Sequence, residues 1–476
     1  MESKNQQDMP LETQSRFVDW DGPDDAKDPY NWASWKQDSH IALVSILALA
    51  VNLASTLFAP AAPELASEFA VTEPVVASLT VTIYLLGFSF GPLVVSPLSE
   101  LYGRLKIYHA CNVCFIAFNV GCAMSQSLAP FLACRLLAGC AGSAPMTIGG
   151  GTIADLTAVE KRGKAMAVFG IGPLLGPVLG PIVGGFAAQY LGWRWTLWLI
   201  VILSGVTTIA CFLFMRETYA PVLLAAKVAR LRKENNNSHL VAKGASDTKR
   251  LTLLLRAIVR PTKMLLLSPV VLGLSLYNAF VFGLIFLLFT TFPTVFSDKY
   301  GFGLGTSGLS YLGIGLGTFA GLIIFSLVSD RVVQRRRKDG PAKPEHRLPL
   351  MIWTCPLIPV GFFWYGWSAD AGTHWIVPIL GTALIGVGAL FIVISSQIYV
   401  VDAFGAEGAA SALAALTVIR CLFGCFLPMA GPLLYHSVGL GWGNSILGFI
   451  GLLFLPVPFA FYTYGEYLRK RFPVQL

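Results

Sequence analysis

Charge is what this chain has least of. Asp, Glu, Lys and Arg make up 13% of its residues, about half the share usual in soluble domains, so a water-soluble globule is excluded. Acids are missing altogether from the middle of the long apolar runs, which removes the obvious carriers of a buried, titrating carboxylate. The six histidines, His40, His109, His239, His346, His374 and His436, are scattered and form no metal box. A membrane-embedded enzyme needs His or Asp residues clustered near an interface, so that class is disfavoured. The nine cysteines (Cys111, Cys114, Cys122, Cys134, Cys140, Cys211, Cys355, Cys421 and Cys425) all fall inside apolar runs. There small residues serve helix contacts, and the Cys111-Cys114 spacing by itself makes no redox or zinc site. Gly303, Gly305 and Gly308 have nucleotide-loop spacing, but no strand precedes them. No cofactor, metal or nucleic acid is expected.

What is abundant is hydrophobic length. Apolar residues form 55% of the 476, and the mean hydropathy of +0.66 arises from runs of about 20 residues, enough to cross a hydrocarbon core of about 30 Å as helix. A barrel would alternate instead. The runs predict an all-α membrane protein with twelve spans, near residues 41–62, 75–98, 107–126, 129–152, 164–189, 195–215, 269–293, 307–329, 349–368, 374–400, 408–432 and 442–463. The polar, acidic first 40 residues carry no cleavable signal, so the first span is expected to direct insertion.

Orientation follows from the bases. Of the 34 Lys and Arg, Arg194 and Lys299 fall on the outer side and Arg135 and Arg420 within spans; the rest collect on loops expected in the cytoplasm. Both termini are expected there too, and a net charge of +8 suits the anionic inner leaflet without invoking nucleic acid. The sequon Asn236-Asn237-Ser238 then lies on the cytoplasmic side and is expected to be unused.

The layout divides as a tail (1–40), a six-helix bundle (41–215), a polar linker (216–265), a second bundle (266–464) and a short tail (465–476). Around Val222–Leu231 apolar residues recur at helical spacing with Lys227, Arg230 and Arg232 opposite. That stretch is either a helix lying flat on the inner surface or a solvated tether. Ser96–Lys106 and Ser326–Lys338 follow corresponding spans with the same order of small residue, acid and bases. Paired halves of this kind suggest a transporter with its site between them.

Gly172, Gly176, Gly180 and Gly184 recur every four residues, with Pro173, Pro177 and Pro181 one position later. In water such a helix is nearly excluded, since each interior Pro costs about 3 kcal/mol and each Gly about 1. In a membrane the same pattern is a flat packing surface with a bend beside it.

Here the residues become recognisable. "GPVLGPIVGG" (Gly176, Pro177, Gly180, Pro181, Gly184 and Gly185 among them) resembles the antiporter motif of the major facilitator superfamily. "SPLSELYGRLK" is similar to that superfamily's loop motif, with Glu100, Gly103 and Arg104 in register, although Ser96, Glu100 and Leu105 depart from the usual residues. "FLACRLLAGCAGSAP" resembles its span-four motif, with Arg135 as the charged member. "DPYNWASWK", "RETYAPVLL", "YVVDAFGAEGAASALAA" and "GWGNSILGFIG" extend the likeness, to fungal twelve-span drug:proton antiporters, over nearly the whole chain.

The resemblance implies the major facilitator fold, two six-helix bundles that rock. It also implies efflux of small amphipathic compounds such as antifungals or a fungal secondary metabolite, driven by protons, across the plasma or vacuolar membrane by a monomer. It implies Glu100 facing the start of span eleven, Arg104 reaching Asp155, and a role for Arg135 in proton coupling. A simple Glu100–Arg104 surface pair and snorkelling of Arg135 stay open. A substrate wall of aromatic and hydrogen-bonding groups is expected from Asn52, Tyr84, Tyr277, Asn278, Phe286 and Gln397, with Arg420 nearby; each can instead face lipid or a helix. An importer or polyamine carrier of the same fold and a non-transporting receptor remain the alternatives.

Overall fold

The computed structural model describes residues 17–22, 24–234, 240–242, 250–337 and 343–473. The sequon at Asn236 lies outside them. Eleven helical stretches among the described residues are long and apolar enough to cross a membrane: Ser34–Glu68, Pro74–Tyr102, Arg104–Ala123, Leu128–Leu156, Lys161–Leu191, Trp193–Phe214, Pro269–Tyr300, Leu304–Ser329, Pro344–Asp370, Ile376–Gly405 and Gly408–Arg471. The last, at 64 residues, is about 96 Å of helix, three times the hydrocarbon thickness. It breaks at Gly439, whose φ of 80° and ψ of 171° are non-helical; only a residue without Cβ adopts that backbone freely. Spans eleven and twelve are thus 408–438 and 440–471, and the described residues make twelve crossings in two sets of six.

The three prolines of span five lie inside one unbroken helix, Val159–Leu191. Its glycine stripe is pressed onto span one. A Cβ at Gly172 would come within 2.8 Å of the Leu49 amide nitrogen, one at Gly176 within 2.6 Å of the Asn52 Cβ, and one at Gly184 would land on the Leu57 carbonyl oxygen. The adjoining edge of the same helix meets the other half: Gly185 abuts the Leu304 carbonyl, Gly308 the Pro181 carbonyl, and Gly315 the Val178 side chain. Gly305 N–H donates to Gln189 Oε1 at 2.9 Å across this seam. A second seam joins spans two and eleven, where Ser89 Oγ donates to the Val418 carbonyl at 3.2 Å and Leu85 lies against Gly424.

Each half has its own aromatic core. In the first, Phe58, Phe131 and Trp193 pack with ring centroids 5.3 to 6.1 Å apart. In the second, Phe292 is ringed by Phe296, Tyr311 and Tyr365 at 5.2 to 5.7 Å.

The linker is more structured than a polar tether. Ala220–Glu234 and Arg250–Leu267 are helices. The first buries Leu224 and Val228 with Val18, beside a two-residue parallel pairing of β1 (Phe17–Val18) with β2 (Val241–Ala242). Its apolar face is therefore covered by the amino-terminal tail rather than by lipid. Lys227, predicted for the polar side, is 8% exposed, with Nζ 2.6 Å from Asp21 and 2.8 Å from the Asp19 carbonyl. The second helix rests against span two and the helix of spans ten and eleven, so it touches both halves on the face that carries the tails.

The contrast within span five is testable. Gly184→Ala is expected to destabilise the detergent-purified protein by about 1–3 kcal/mol through overpacking against Leu57. Gly170→Ala, where nothing lies within 4 Å, should be neutral or stabilising by up to about 1 kcal/mol. Thermal unfolding followed by tryptophan fluorescence compares the two.

Candidate functional site

Arg135 is wholly buried, at 0% exposure. Gly139 and Gly142, one and two turns on, let span four press onto Tyr84, and that close crossing encloses the arginine. Its Nη2 donates to the Ala54 carbonyl at 2.9 Å, and the guanidinium lies 5.0 Å from the Tyr84 ring and 5.6 Å from Phe58. Snorkelling is excluded by that burial. Nε and Nη1 have no partner among the described residues. Tyr84 donates to the Val51 carbonyl at 3.0 Å, and Asn52, one residue on, donates to Ala48 at 2.8 Å and reaches Met146 Sδ at 3.5 Å. Spans two and four thus bring Tyr84 and Arg135 together, while the Asn52 side chain faces Met146 of span four and Gly176 of span five.

Arg420 stands across the span two/eleven seam. Its guanidinium sits 4.9 Å from the Phe282 ring and against the Cys421 thiol, while Nε is buried without a partner among the described residues. Phe282 leads to Phe286 (4.9 Å), Phe289 (5.4 Å) and Tyr311 (5.2 Å), an aromatic row on spans seven and eight. Tyr277 is not in that row: its ring stacks on Phe454 of span twelve at 5.3 Å. Asn278 is buried with Oδ1 unpartnered among the described residues, and Gln397 is half-buried.

The tail face carries a polar cluster. Arg104 Nε pairs with Asp155 Oδ2 at 2.5 Å, and the guanidinium lies 4.8 Å from the Tyr219 ring. Gly103 (φ 94°) turns the chain so that span three starts beneath the Glu217 carboxylate, which accepts from Arg104 N–H at 3.0 Å and Leu105 N–H at 3.1 Å. An acid at a helix N-terminus is favoured by about 0.3–1 kcal/mol, more when partly buried. Glu217 was not among the sequence candidates; "RETYAPVLL" contains it, but its partners lie 112 and 113 residues away. Glu100 is exposed and has no ion pair among the described residues. Beside the cluster, His40 Nε2 accepts from Arg216 N–H at 2.9 Å, which leaves Nδ1–H to donate to the Lys36 carbonyl at 2.7 Å.

The second half repeats the arrangement. Arg347 at the start of span nine pairs with Asp402 at the end of span ten at 3.1 Å, as Arg104 at the start of span three pairs with Asp155 at the end of span four. On the far face both outer bases are matched: Arg194 with Glu68 at 2.6 Å and Lys299 with Asp370 at 3.7 Å.

A family model described as Major Facilitator Superfamily matches residues 44–428. The MFS transporter prlG of Fungal sp. (strain NRRL 50135) is 58% identical, covering 96% of this chain and 97% of that protein. The trichosetin biosynthesis cluster MFS transporter of Gibberella fujikuroi (strain CBS 195.34 / IMI 58289 / NRRL A-6831) is 52% identical, covering 96% and 90%. Among solved structures, the xylose transporter XylE from E. coli, in a partially occluded inward open conformation, aligns with a TM-score of 0.67 at 17% identity, covering 90% of this chain and 98% of that one; that likeness concerns the fold.

The Arg104–Asp155 pair leaves side chains 13% and 21% exposed, whereas Arg347–Asp402 leaves 26% and 39%. A double-mutant cycle on protein stability should give the first pair a coupling of about 1–3 kcal/mol. The second, better screened, should give about 0.2–1 kcal/mol. Equal couplings would contradict the ranking.

Proposed function

The chain belongs to the major facilitator superfamily, and we propose that it exports small amphipathic products of fungal secondary metabolism in exchange for protons. The tail face is the cytoplasmic one, and the plasma membrane is the site. The two halves rock about the seams between spans five and eight and between spans two and eleven.

The observation that carries this reading is the double role of span five. One edge of its Gly/Pro stretch is fixed to span one at backbone distance, and the adjoining edge forms the boundary with span eight. A helix of that composition can slide on its neighbour without side-chain interlocks and flex at its prolines. Kinship at 52% identity with a transporter named for the trichosetin biosynthesis cluster supports a metabolite as cargo.

Within this reading Asn52, Tyr84, Phe286, Gln397 and Arg420 bound the cargo path, and Arg135 couples proton to cargo. Arg104, Asp155 and Glu100 gate the cytoplasmic side, where a charge-assisted bond forms in one conformation and loosens in the other. Gly176, Pro177, Gly180, Pro181, Gly184 and Gly185 supply the pliant surface. Tyr277 and Asn278 contribute through packing of the second half.

Expression in a pump-deficient yeast tests the proposal. Retention of a labelled panel of amphipathic metabolites and antifungals should fall at least several-fold for one or more members, a protonophore should restore it, and Arg135→Ala should abolish the effect. Unchanged retention across the panel refutes export, and raised retention points to import.

A further inference from the structure

The membrane interior of this protein is positively charged and holds no acid to balance it. Between Glu64, Glu68 and Glu73 at the far face and Asp38, Glu100, Asp155, Glu160 and Glu217 at the tail face, the first six spans contain no Asp or Glu, and the last six are equally bare between their ends. Arg135 and Arg420 are the two permanent charges at that depth. Other bases have acids within reach: Arg104, Arg194, Lys227, Lys299, Arg347 and Arg469 each lie in an ion pair. Among the described residues Arg135 and Arg420 have only neutral partners, the Ala54 carbonyl and Tyr84 ring for one and the Phe282 ring and Cys421 thiol for the other, and three of their guanidinium nitrogens are buried without a partner.

The two arginines are also neighbours through one helix. Tyr84 of span two holds Arg135 on its ring, and Cys421, next to Arg420, packs in the same cluster as Tyr84. Leu85, the next residue of span two, lies against Gly424. Span two thus touches Arg135 directly and the helix of Arg420 through Cys421 and Gly424, while the Arg420 guanidinium itself turns to Phe282 of span seven. A charged group in hydrocarbon is retained where a counter-charge compensates it, and here the described residues supply none.

We propose that the transported compound supplies it: the cargo is an amphipathic organic anion, its carboxylate or comparable delocalised negative group held by Arg420 and its apolar body seated on the half-buried Phe282 ring beside it. A guanidinium matches a planar oxyanion with two parallel N–H donors, and an aromatic face such as that of Phe282 accepts a ring or chain without strict geometry. This rests on the export reading and sharpens it. An anion leaving a cell that is negative inside is already driven outward by the membrane potential, so such an exporter has little need of a mid-membrane carboxylate.

Two dyes with one xanthene scaffold test it: fluorescein, an anion at pH 7.5, and rhodamine 6G, a cation. With the purified full-length protein, fluorescence anisotropy should give fluorescein at least ten-fold tighter binding. Arg420→Gln should remove that preference by weakening fluorescein at least ten-fold, and Arg420→Lys should keep most of it. Equal or tighter rhodamine 6G binding, binding of neither dye, or a preference that survives Arg420→Gln overturns the proposal; if that variant misfolds, the wild-type ratio decides. Flux in reconstituted vesicles separates the two readings. Anion-selective binding without flux sinks export and leaves the anion site, whereas preferential flux of the cation does the reverse.

Discussion

Everything in this structure answers to the absence of water across the hydrocarbon layer. With no solvent to receive a backbone amide or a charge, each must find its partner inside the protein. Helices satisfy the backbone, and the remaining freedom lies in how closely they approach. In this chain closeness comes from missing side chains: Gly87 and Gly91 bring span two onto span four, and Gly172 through Gly184 bring span five onto span one. Association then rests on dispersion between backbones instead of on expulsion of water, which is why a composition hostile to a soluble helix persists here.

Where the chain returns to water, the same constraint reverses and charge becomes the adhesive. Arg104–Asp155 and Arg347–Asp402 occupy equivalent places in the two halves, each tying the start of one span to the end of the next. Each half adds further ties. The first adds Glu217 at the head of span three, His40 held between two backbone groups, and Tyr30 donating to the Ala154 carbonyl. The second adds Glu345 at the head of span nine, a buried acid that pairs with Arg469 of span twelve and accepts from the Tyr399 hydroxyl, so each tail face is tied across several spans.

The sequence reveals the spans, their number and the sorting of bases, because length, hydropathy and Lys/Arg position are local properties. Gly439 shows how much local reading suffices: an apolar run too long for one crossing has to break, and a glycine is where it does. Side-chain facing is another matter. A buried membrane helix is apolar all round, so nothing in the pattern separates Phe286, which joins the aromatic row, from Tyr277, which stacks on Phe454. Glu217 and the Arg347–Asp402 pair are not legible for a different reason: each joins residues distant in sequence, and no periodicity encodes that. Arg104 and Asp155 were linked in advance only through family resemblance. The helix at Ala220–Glu234 was legible in its spacing, but its covering partner, the tail around Val18, was not.

That tail has a consequence for how the molecule is made. The bond from Lys227 Nζ to the Asp19 carbonyl joins residues 208 positions apart, and ribosomes add about 5–20 residues per second. The opening segment therefore waits about 10–40 s before its docking helix exists, by which time six hydrophobic segments have passed to the translocon. It cannot guide their insertion. It closes afterwards, as a late seal on a bundle already built, so residues synthesised ahead of the first span are among the last to find their native place.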